Sequence, residues 1–182
     1  PKNAGTSITK ELNMYDEGHH GWNYYKAKYP DKWEKYTKFA IVRNPYDRVV
    51  SSYEYAKMEK SYHHSVDGNA QHGKHPDYDT LKNKTFKECV ELLKNKPSKL
   101  KHHGWPNQSK YIYNGDELMV DHLIYMENLI EEINTKLNLN LEKIEKINNS
   151  DHDNFEDYYD DYLKIIIYNA YKKDFNNLNY GR

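Results

Sequence analysis

The sequence predicts an α/β fold, a three-layer sandwich whose central sheet is mostly parallel. Two apolar runs, KFAIV from Lys38 and VDHLIY from Val120, have the length of buried strands, and each leads directly into a helical pattern. In addition, a turn that contains glycine leads into a helical pattern near Pro1. Strands that alternate with helices are typical of parallel sheets covered by helices.

Length, charge and cysteine content limit the class of protein. The 182 residues suit one domain, 1–182, and 27 Lys and Arg against 28 Asp and Glu give no overall field for nucleic acid or an anionic membrane. Cys89 is the single cysteine, which excludes an intramolecular disulfide. No apolar run is long enough to predict a membrane span. Because the first turn needs a strand to precede it, we expect a first strand upstream of Pro1.

The order of elements follows from caps and breakers. A helix is expected from Thr6 to about Tyr15, followed by two short helices on either side of Pro30. After the first apolar run, Asn44 can cap a helix and Pro45 can occupy its first turn. The core face of this helix is expected to carry Val49, Tyr53 and Ala56.

The second half is expected to contain two long loops and three helices. The loops are residues 61–83 and the basic stretch around LKNKPSKLKHHGWPNQSKY. Thr85 and Glu88 stand in capping-box positions of the helix between them. A later helix carries Leu129, Ile133 and Leu137 on one face, and the last helix runs from about Asp157 to Lys173.

Two turns have the chemistry of anion sites. A helix N-terminus offers free N–H groups and partial positive charge, and the turn PKNAGTS adds the charge of Lys2, the open backbone of Gly5 and the hydroxyls of Thr6 and Ser7. A Walker A loop places its lysine after the glycine, whereas Lys2 precedes Gly5 by three residues.

The second turn is RNPYDRVVSSY, at the end of the first apolar run. Arg43 can bind an oxyanion with two N–H groups, and Ser51 stands eight residues later in the following helix. In a parallel sheet, both turns would lie beyond the carboxyl ends of strands, where ligands bind. Two anion sites side by side suggest a nucleotide phosphorylated at both ends of its ribose.

PKNAGTS together with FAIVRNPYDRVVSSY resembles the paired cofactor motifs of sulfotransferases, and of the Golgi-type carbohydrate sulfotransferases (sulfotransferase family 2-like) in particular. TFKECV resembles a segment of the uronyl 2-O-sulfotransferases, and WPNQSKY, DHLIYMENL, NNS and the closing YYDDYLKIIIYNAYKKDFNNLNY extend the similarity over nearly the whole chain. The resemblance implies a P-loop-like sulfotransferase fold and transfer of a sulfuryl group to a hydroxyl. The donor would be 3′-phosphoadenosine 5′-phosphosulfate (PAPS), the product 3′-phosphoadenosine 5′-phosphate (PAP), and no metal would take part.

The same resemblance implies roles for individual residues. The 5′-phosphosulfate would be held by the first turn, and the 3′-phosphate by Arg43 and Ser51; the first-turn residues are Lys2, Asn3, Ala4, Gly5, Thr6 and Ser7. Arg48 either serves this pocket or pairs with a carboxylate, the latter being favoured. Relatives often carry Gly-His between the two motifs, so His19, with His20 as its rival, is the expected general base, and Lys2 is expected to stabilise the leaving group.

For the other candidate residues, a purely structural role and a functional role are both considered. His63, His64, His72 and His75 match no standard zinc spacing and are expected in a solvated loop. The basic run Lys94, Lys96, Lys99, Lys101, His102 and His103, with Trp105 after it, is either a solvated loop or a grip on an acidic sugar polymer. Gln108 and Ser109 receive no role, and Glu127 either anchors loops or takes part in catalysis.

Two other functions compete with carbohydrate sulfation. A P-loop-like nucleotide kinase would need a Walker lysine, and a degenerate nucleotide-binding domain would have lost Lys2, Arg43 or Ser51. An RNA module would need a basic excess or an aromatic RNP strand, and the sequence has neither. The acceptor is expected to be a carbohydrate or another hydroxyl compound. A Golgi location would follow from an N-terminal anchor like that of animal relatives, and a cytoplasmic one otherwise.

Overall fold

The two apolar runs pair with each other in parallel at the centre of the fold. In the computed structural model, β1 (Phe39–Val42) lies beside β4 (His122–Tyr125), with Phe39 opposite His122 and Val42 opposite Tyr125. The structure describes residues 2–59, 61, 73–145, 147 and 154–181. Both predicted strands and their parallel direction are confirmed, and the chain is a mixed α/β protein.

Ten α-helices, three short 3₁₀ helices and a short antiparallel hairpin complete the described part of the chain. The hairpin consists of β2 (Tyr113–Asn114) and β3 (Glu117–Leu118). The helices are α1 (Gly5–Glu11), α2 (Trp22–Lys28), α3 (Pro30–Lys35), α4 (Pro45–Lys57), α5 (Tyr78–Leu81), α6 (Phe86–Asn95), α7 (Ser109–Ile112), α8 (Leu129–Leu137), α9 (Asp161–Ala170) and α10 (Lys172–Asn177).

The predicted capping residues start the helices as expected. The Asn44 side chain accepts a hydrogen bond from the Tyr46 N–H at 2.9 Å, and Pro45 is the first residue of α4. Thr85 and Glu88 form the complete capping box of α6. Both motifs are local, so the sequence alone is enough to specify them.

Three helical segments differ from the prediction. Helix α1 ends at Glu11 rather than near Tyr15, and Asn13, two residues on, has a left-handed φ of 48°. The loop predicted at residues 61–83 contains α5. The last predicted helix is divided into α9 and α10 around Tyr171, and α9 begins only after Asp160, whose side chain accepts the Leu163 N–H at 2.7 Å.

The helices hold the carboxyl end of β1 from two sides. On one side α4 packs against α6 and α9, and its predicted core residues Val49, Tyr53 and Ala56 are buried. On the other side Ile8 of α1 packs with Ile124 of β4 and Ile133 of α8. The first turn of the chain is therefore fixed beside the end of β1.

The second edge of β1 faces a cavity. In the described ranges β1 pairs only with β4, and all four β1 residues line the cavity. The layers of the sandwich and the first strand upstream of Pro1 stay predictions. None of the helices in these ranges is long and apolar enough to cross a membrane.

Candidate functional site

The first turn of the chain is bound directly to the end of β1. Lys2 and Ala4 both have left-handed backbone conformations, with φ of 60° and 55°, and Gly5 then begins α1. The Asn3 side chain donates to the Ile41 carbonyl at 2.8 Å, and Arg43 Nη1 donates to the Lys2 carbonyl at 3.1 Å. The two predicted anion turns thus lie in contact with each other.

Gln108 joins the two turns, a role that the sequence did not reveal. Its Oε1 accepts from the Asn3 side chain at 2.7 Å and from the Arg43 N–H at 3.0 Å, and its Nε2 donates to the Arg43 carbonyl at 2.8 Å. A side-chain amide that both accepts from and donates to one residue imitates the pairing of a neighbouring strand. Gln108 is buried, so these bonds are shielded from water.

A buried carboxylate holds Gln108 in place. Asp174 is fully buried and accepts hydrogen bonds from the backbone N–H groups of Gln108 and Ser109 at 2.7 and 2.8 Å, and from the Ser109 hydroxyl at 2.7 Å. Arg48 lies 3.7 Å from the same carboxylate and donates to the carbonyls of Gly104 and Pro106. Arg48 therefore pairs with a carboxylate, the favoured of its two predicted roles.

The Lys2 ammonium lies in a confined position. Its Nζ is 3.8 Å from the centroid of the Tyr55 ring, an attractive cation–π geometry. Burial and, to a smaller extent, the positive charge of Arg43 together lower the pKa of Lys2 to about 7. An anion beside this lysine would restore its charged form.

Arg43 is already engaged on one side. Its Nε and Nη2 donate to the two carboxylate oxygens of Asp47 at 2.6 and 2.7 Å, while Nη1 holds the Lys2 carbonyl. Guanidinium has five N–H groups, so these bonds leave two for another acceptor. Ser51, the other residue predicted at the 3′-phosphate, is buried in α4.

The remaining first-turn residues differ in what their side chains can reach. Gly5 is exposed, and a Cβ placed on it would meet nothing within 4 Å, so there is space above the start of α1. Thr6 is exposed, whereas Ser7 is buried and its hydroxyl accepts the Ile147 N–H at 2.9 Å. Ser7 thus also ties the turn to Ile147.

The two candidate bases lie at the cavity beside β1. This cavity has a volume of about 760 Å³, and Asn3, Gly5, His19 and His20 all line it. The ring of His20 is stacked on Tyr24 with 3.8 Å between centroids. His19 instead contacts a histidine from the basic loop, His103, at 4.3 Å. The structure therefore brings His19 and the first turn to one cavity.

The basic loop is more ordered than predicted. Asp77, fully buried, accepts from the backbone N–H groups of Lys101 and His102 and from the Trp105 indole at 2.8 Å. Only 6% of Trp105 is exposed, which leaves no open face for a sugar ring. The lysines of this run (Lys94, Lys96, Lys99 and Lys101) are exposed, as expected for a solvated surface.

The other predicted polar residues have structural surroundings. Glu127 accepts from the Asn44 N–H at 2.7 Å and from the Tyr180 hydroxyl at 3.0 Å, so it anchors loops. His63, His64 and His72 lie outside the described residues, and His75 is buried. Within the described part of the chain, no group of three or more His, Cys, Asp or Glu side chains is arranged to hold a metal ion.

Comparison with known proteins identifies the family. No curated protein and no solved structure matches the chain. A family model described as the sulfotransferase family, Sulfotransfer_2, matches residues 2–181. This match includes both turns, the Gln108 segment and the buried Asp174, and it covers nearly the whole chain. The chain therefore belongs to the sulfotransferase family.

Proposed function

We propose that this sulfotransferase takes its sulfuryl group from PAPS and transfers it to a hydroxyl of a carbohydrate. The observation that carries the proposal is the direct bond between the two turns, from Arg43 Nη1 to the Lys2 carbonyl. Because the two cations are held on adjacent backbone, a single ligand with anionic groups at both ends can meet both of them. The fold proposed with this function is the P-loop-like, three-layer one.

The donor set fits the cofactor. The 5′-phosphosulfate would be held by the Lys2 ammonium, by the backbone N–H groups that begin α1 and by the Thr6 hydroxyl, above the open face of Gly5. The same turn contains Asn3, Ala4 and Ser7. The Ser7 hydroxyl oxygen accepts the Ile147 N–H, and its own proton is the group it would donate to the ligand. The 3′-phosphate would be held by the two remaining N–H groups of Arg43 and by Ser51.

The residues of the chain supply positioning and charge. PAPS supplies an activated sulfuryl group when bound, and no metal is proposed. The acceptor hydroxyl loses its proton to His19 while its oxygen bonds to sulfur, and the electrons of the broken sulfur–oxygen bond leave with the nucleotide phosphate. Lys2 in its ammonium form stabilises that leaving charge. His20 is the weaker candidate base because its ring is stacked on Tyr24.

The shape of the cavity supports a carbohydrate acceptor. Its walls include Trp22, Tyr25 and Trp33, aromatic side chains of the kind that stack on sugar rings, and it reaches both Gly5 and His19. A nucleotide kinase has less support, since Thr6 occupies the position of the Walker lysine. A non-catalytic nucleotide-binding domain is also disfavoured, because Lys2 and Arg43 are both present and joined.

Calorimetry with two nucleotides tests the donor site. PAP and adenosine 5′-phosphate differ only in the 3′-phosphate, so their affinity ratio isolates the Arg43 end of the site. We expect the protein to bind PAP about 10–100-fold more tightly, as charge-assisted bonds to one phosphate allow. In Arg43→Ala the ratio should fall to the few-fold difference that Ser51 can supply, while adenosine 5′-phosphate binds at least as tightly as before, since loss of the Arg43 charge raises the pKa of Lys2.

Matched variants separate contact from structure. Lys87→Ala removes one positive charge from the exposed side of α6 and should leave both affinities unchanged. If Arg43→Ala weakens both nucleotides equally, Arg43 acts by holding the Lys2 turn and does not bind the 3′-phosphate. If the folded protein binds neither nucleotide, the PAPS proposal is wrong.

A further inference from the structure

The tetrapeptide HHGW occurs twice in the chain, at residues 19–22 and at residues 102–105. The first copy contains the proposed base, His19. The second copy has no part in the proposed function so far. The structure brings the two copies together through the rings of His19 and His103, whose centroids are 4.3 Å apart with 37° between their planes.

The second copy forms a rigid platform for this contact. The Tyr111 hydroxyl donates to the His103 carbonyl at 3.0 Å, and Arg48 Nη1 donates to the Gly104 carbonyl at 2.7 Å. His102 and Trp105 are buried and joined to Asp77. The backbone on both sides of His103 is therefore fixed by buried groups.

The first copy is attached to the same short segment, residues 111–113. A Cβ placed on Gly21 would lie 3.6 Å from the Tyr111 carbonyl oxygen, an ordinary van der Waals distance, so the backbone of Gly21 runs close to that of Tyr111. The Trp22 indole donates to the Tyr113 carbonyl at 2.9 Å. Tyr111 thus contacts one copy through its backbone and the other through its hydroxyl, which sets the distance between His19 and His103.

On the side of the second copy, this histidine pair is followed by two further histidines and by one buried carboxylate, Asp77, which accepts the His102 N–H at 3.0 Å. His103 contacts the ring of His102 at 3.9 Å, and His102 contacts that of His75 at 4.5 Å. Both inner histidines accept a backbone N–H at Nδ1, so neither carries a proton there. Beyond them, Tyr55 lies under the Lys2 ammonium.

Arg48, which donates to the Gly104 carbonyl, lies 3.7 Å from the Asp174 carboxylate, so its charge is paired. The carboxylates on the side of the first copy are already engaged. Asp16 accepts the Gly18 N–H at 2.8 Å, and Glu17 accepts from the Tyr29 hydroxyl and from Lys28. A second positive charge at the histidine pair would meet the charge of the first ring with 4.3 Å between the ring centroids, whereas Asp77 is already bound by the backbone N–H groups of Lys101 and His102 and by the Trp105 indole.

We propose that His103 is a positioning residue for His19. Its ring orients the imidazole of His19 at the cavity, and the close approach of the two rings disfavours protonation of both, which keeps His19 neutral and able to accept the acceptor proton near pH 7. This role rests on the proposed function, in which His19 removes that proton.

Nuclear magnetic resonance of the labelled histidines tests the pair without any substrate. We expect His103→Gln to raise the pKa of His19 by about 0.5–1, the size of a like-charge repulsion at this distance when water screens the two rings almost fully. His122→Gln is the matched control, because His122 lies on β4 and has no ring contact with either histidine of the pair among the described residues, and it should leave the pKa of His19 unchanged. An unchanged His19 in folded His103→Gln overturns the proposal.

The reciprocal variant and the pH profile complete the test. Since coupling is mutual, His19→Gln should raise the pKa of His103 by the same amount, which covers the case in which His103→Gln does not fold. In the active enzyme, the acidic limb of kcat/KM should move to higher pH in His103→Gln by the shift seen in His19, and a profile that does not move refutes the positioning role. If the pKa values of His19 and His103 prove to be coupled but the protein sulfates no acceptor, the proposed function is refuted instead of the positioning role.

Discussion

The lowered pKa of Lys2 predicts that nucleotide affinity falls as the pH rises above neutrality. With a pKa of about 7, caused first by burial and then by Arg43, about half of the Lys2 side chains carry a charge at pH 7. At pH 9 only about 1% remain charged in the free protein, since each pH unit above the pKa lowers that fraction about tenfold. An anion binds the ammonium form, so PAP must draw a proton onto Lys2 when it binds at high pH.

The expected effect is large enough to measure directly. When the charged fraction of Lys2 falls from about half at pH 7 to about 1% at pH 9, the affinity for PAP should fall about 50-fold, which is about 2.3 kcal/mol. Phosphate has its second pKa near 6, so PAP itself changes little over this range. Calorimetry in two buffers of different ionisation enthalpy should also show uptake of nearly one proton for each PAP bound at pH 8.

Lys2→Arg is the matched variant for this prediction. Guanidinium stays charged at both pH values, so PAP affinity in this variant should be nearly the same at pH 7 and pH 9. The reasoning is refuted if the original protein binds PAP equally at both pH values without taking up a proton. A steep dependence that persists in Lys2→Arg would assign the titration to another group.

Two further predictions concern the stability of the loops that form the site. Asp174→Asn should lower the free energy of unfolding, measured in urea, by about 3–5 kcal/mol because it leaves buried Arg48 without its carboxylate. The control Asp157→Asn changes an exposed residue and should cost little. A loss below about 1 kcal/mol in Asp174→Asn would contradict the Arg48–Asp174 pairing. Gly104→Ala should cost about 1–3 kcal/mol, since its Cβ would lie 2.8 Å from His102 Nδ1. Gly181→Ala meets nothing within 4 Å and should melt at the original temperature, and equal melting of both variants would show that the His102 loop yields freely.

The sequence was sufficient wherever the signal was local. The Asn44 cap and the Thr85 capping box each depend on residues two or three positions apart, and both are present in the structure. The two strands were recognisable because a short apolar run that leads into a helix has few other solutions. The two turns were expected side by side, and the bond from Arg43 Nη1 to the Lys2 carbonyl joins them.

The residues that join the turns could not be predicted in this way. Gln108 lies 65 positions from Arg43 in the sequence, and Asp174 lies 66 positions from Gln108. A buried amide and a buried carboxylate have no periodicity or spacing of their own, because tertiary contacts alone determine their partners. The one sign in the sequence was Arg48 itself, because a guanidinium in a helix that packs against the core needs a carboxylate to pair with its charge.

The way β1 is covered has a consequence for the behaviour of the protein in solution. An uncovered strand edge can pair with the same edge of another copy and start aggregation. Here the amides of Asn3 and Gln108 occupy the edge at Ile41 and Arg43, and charged Lys38 stands directly before the strand. Within the described part of the chain, a short stretch of this edge is then left to recruit another strand, so we expect a change at Asn3 or Gln108 to lower solubility as well as disturb the two turns.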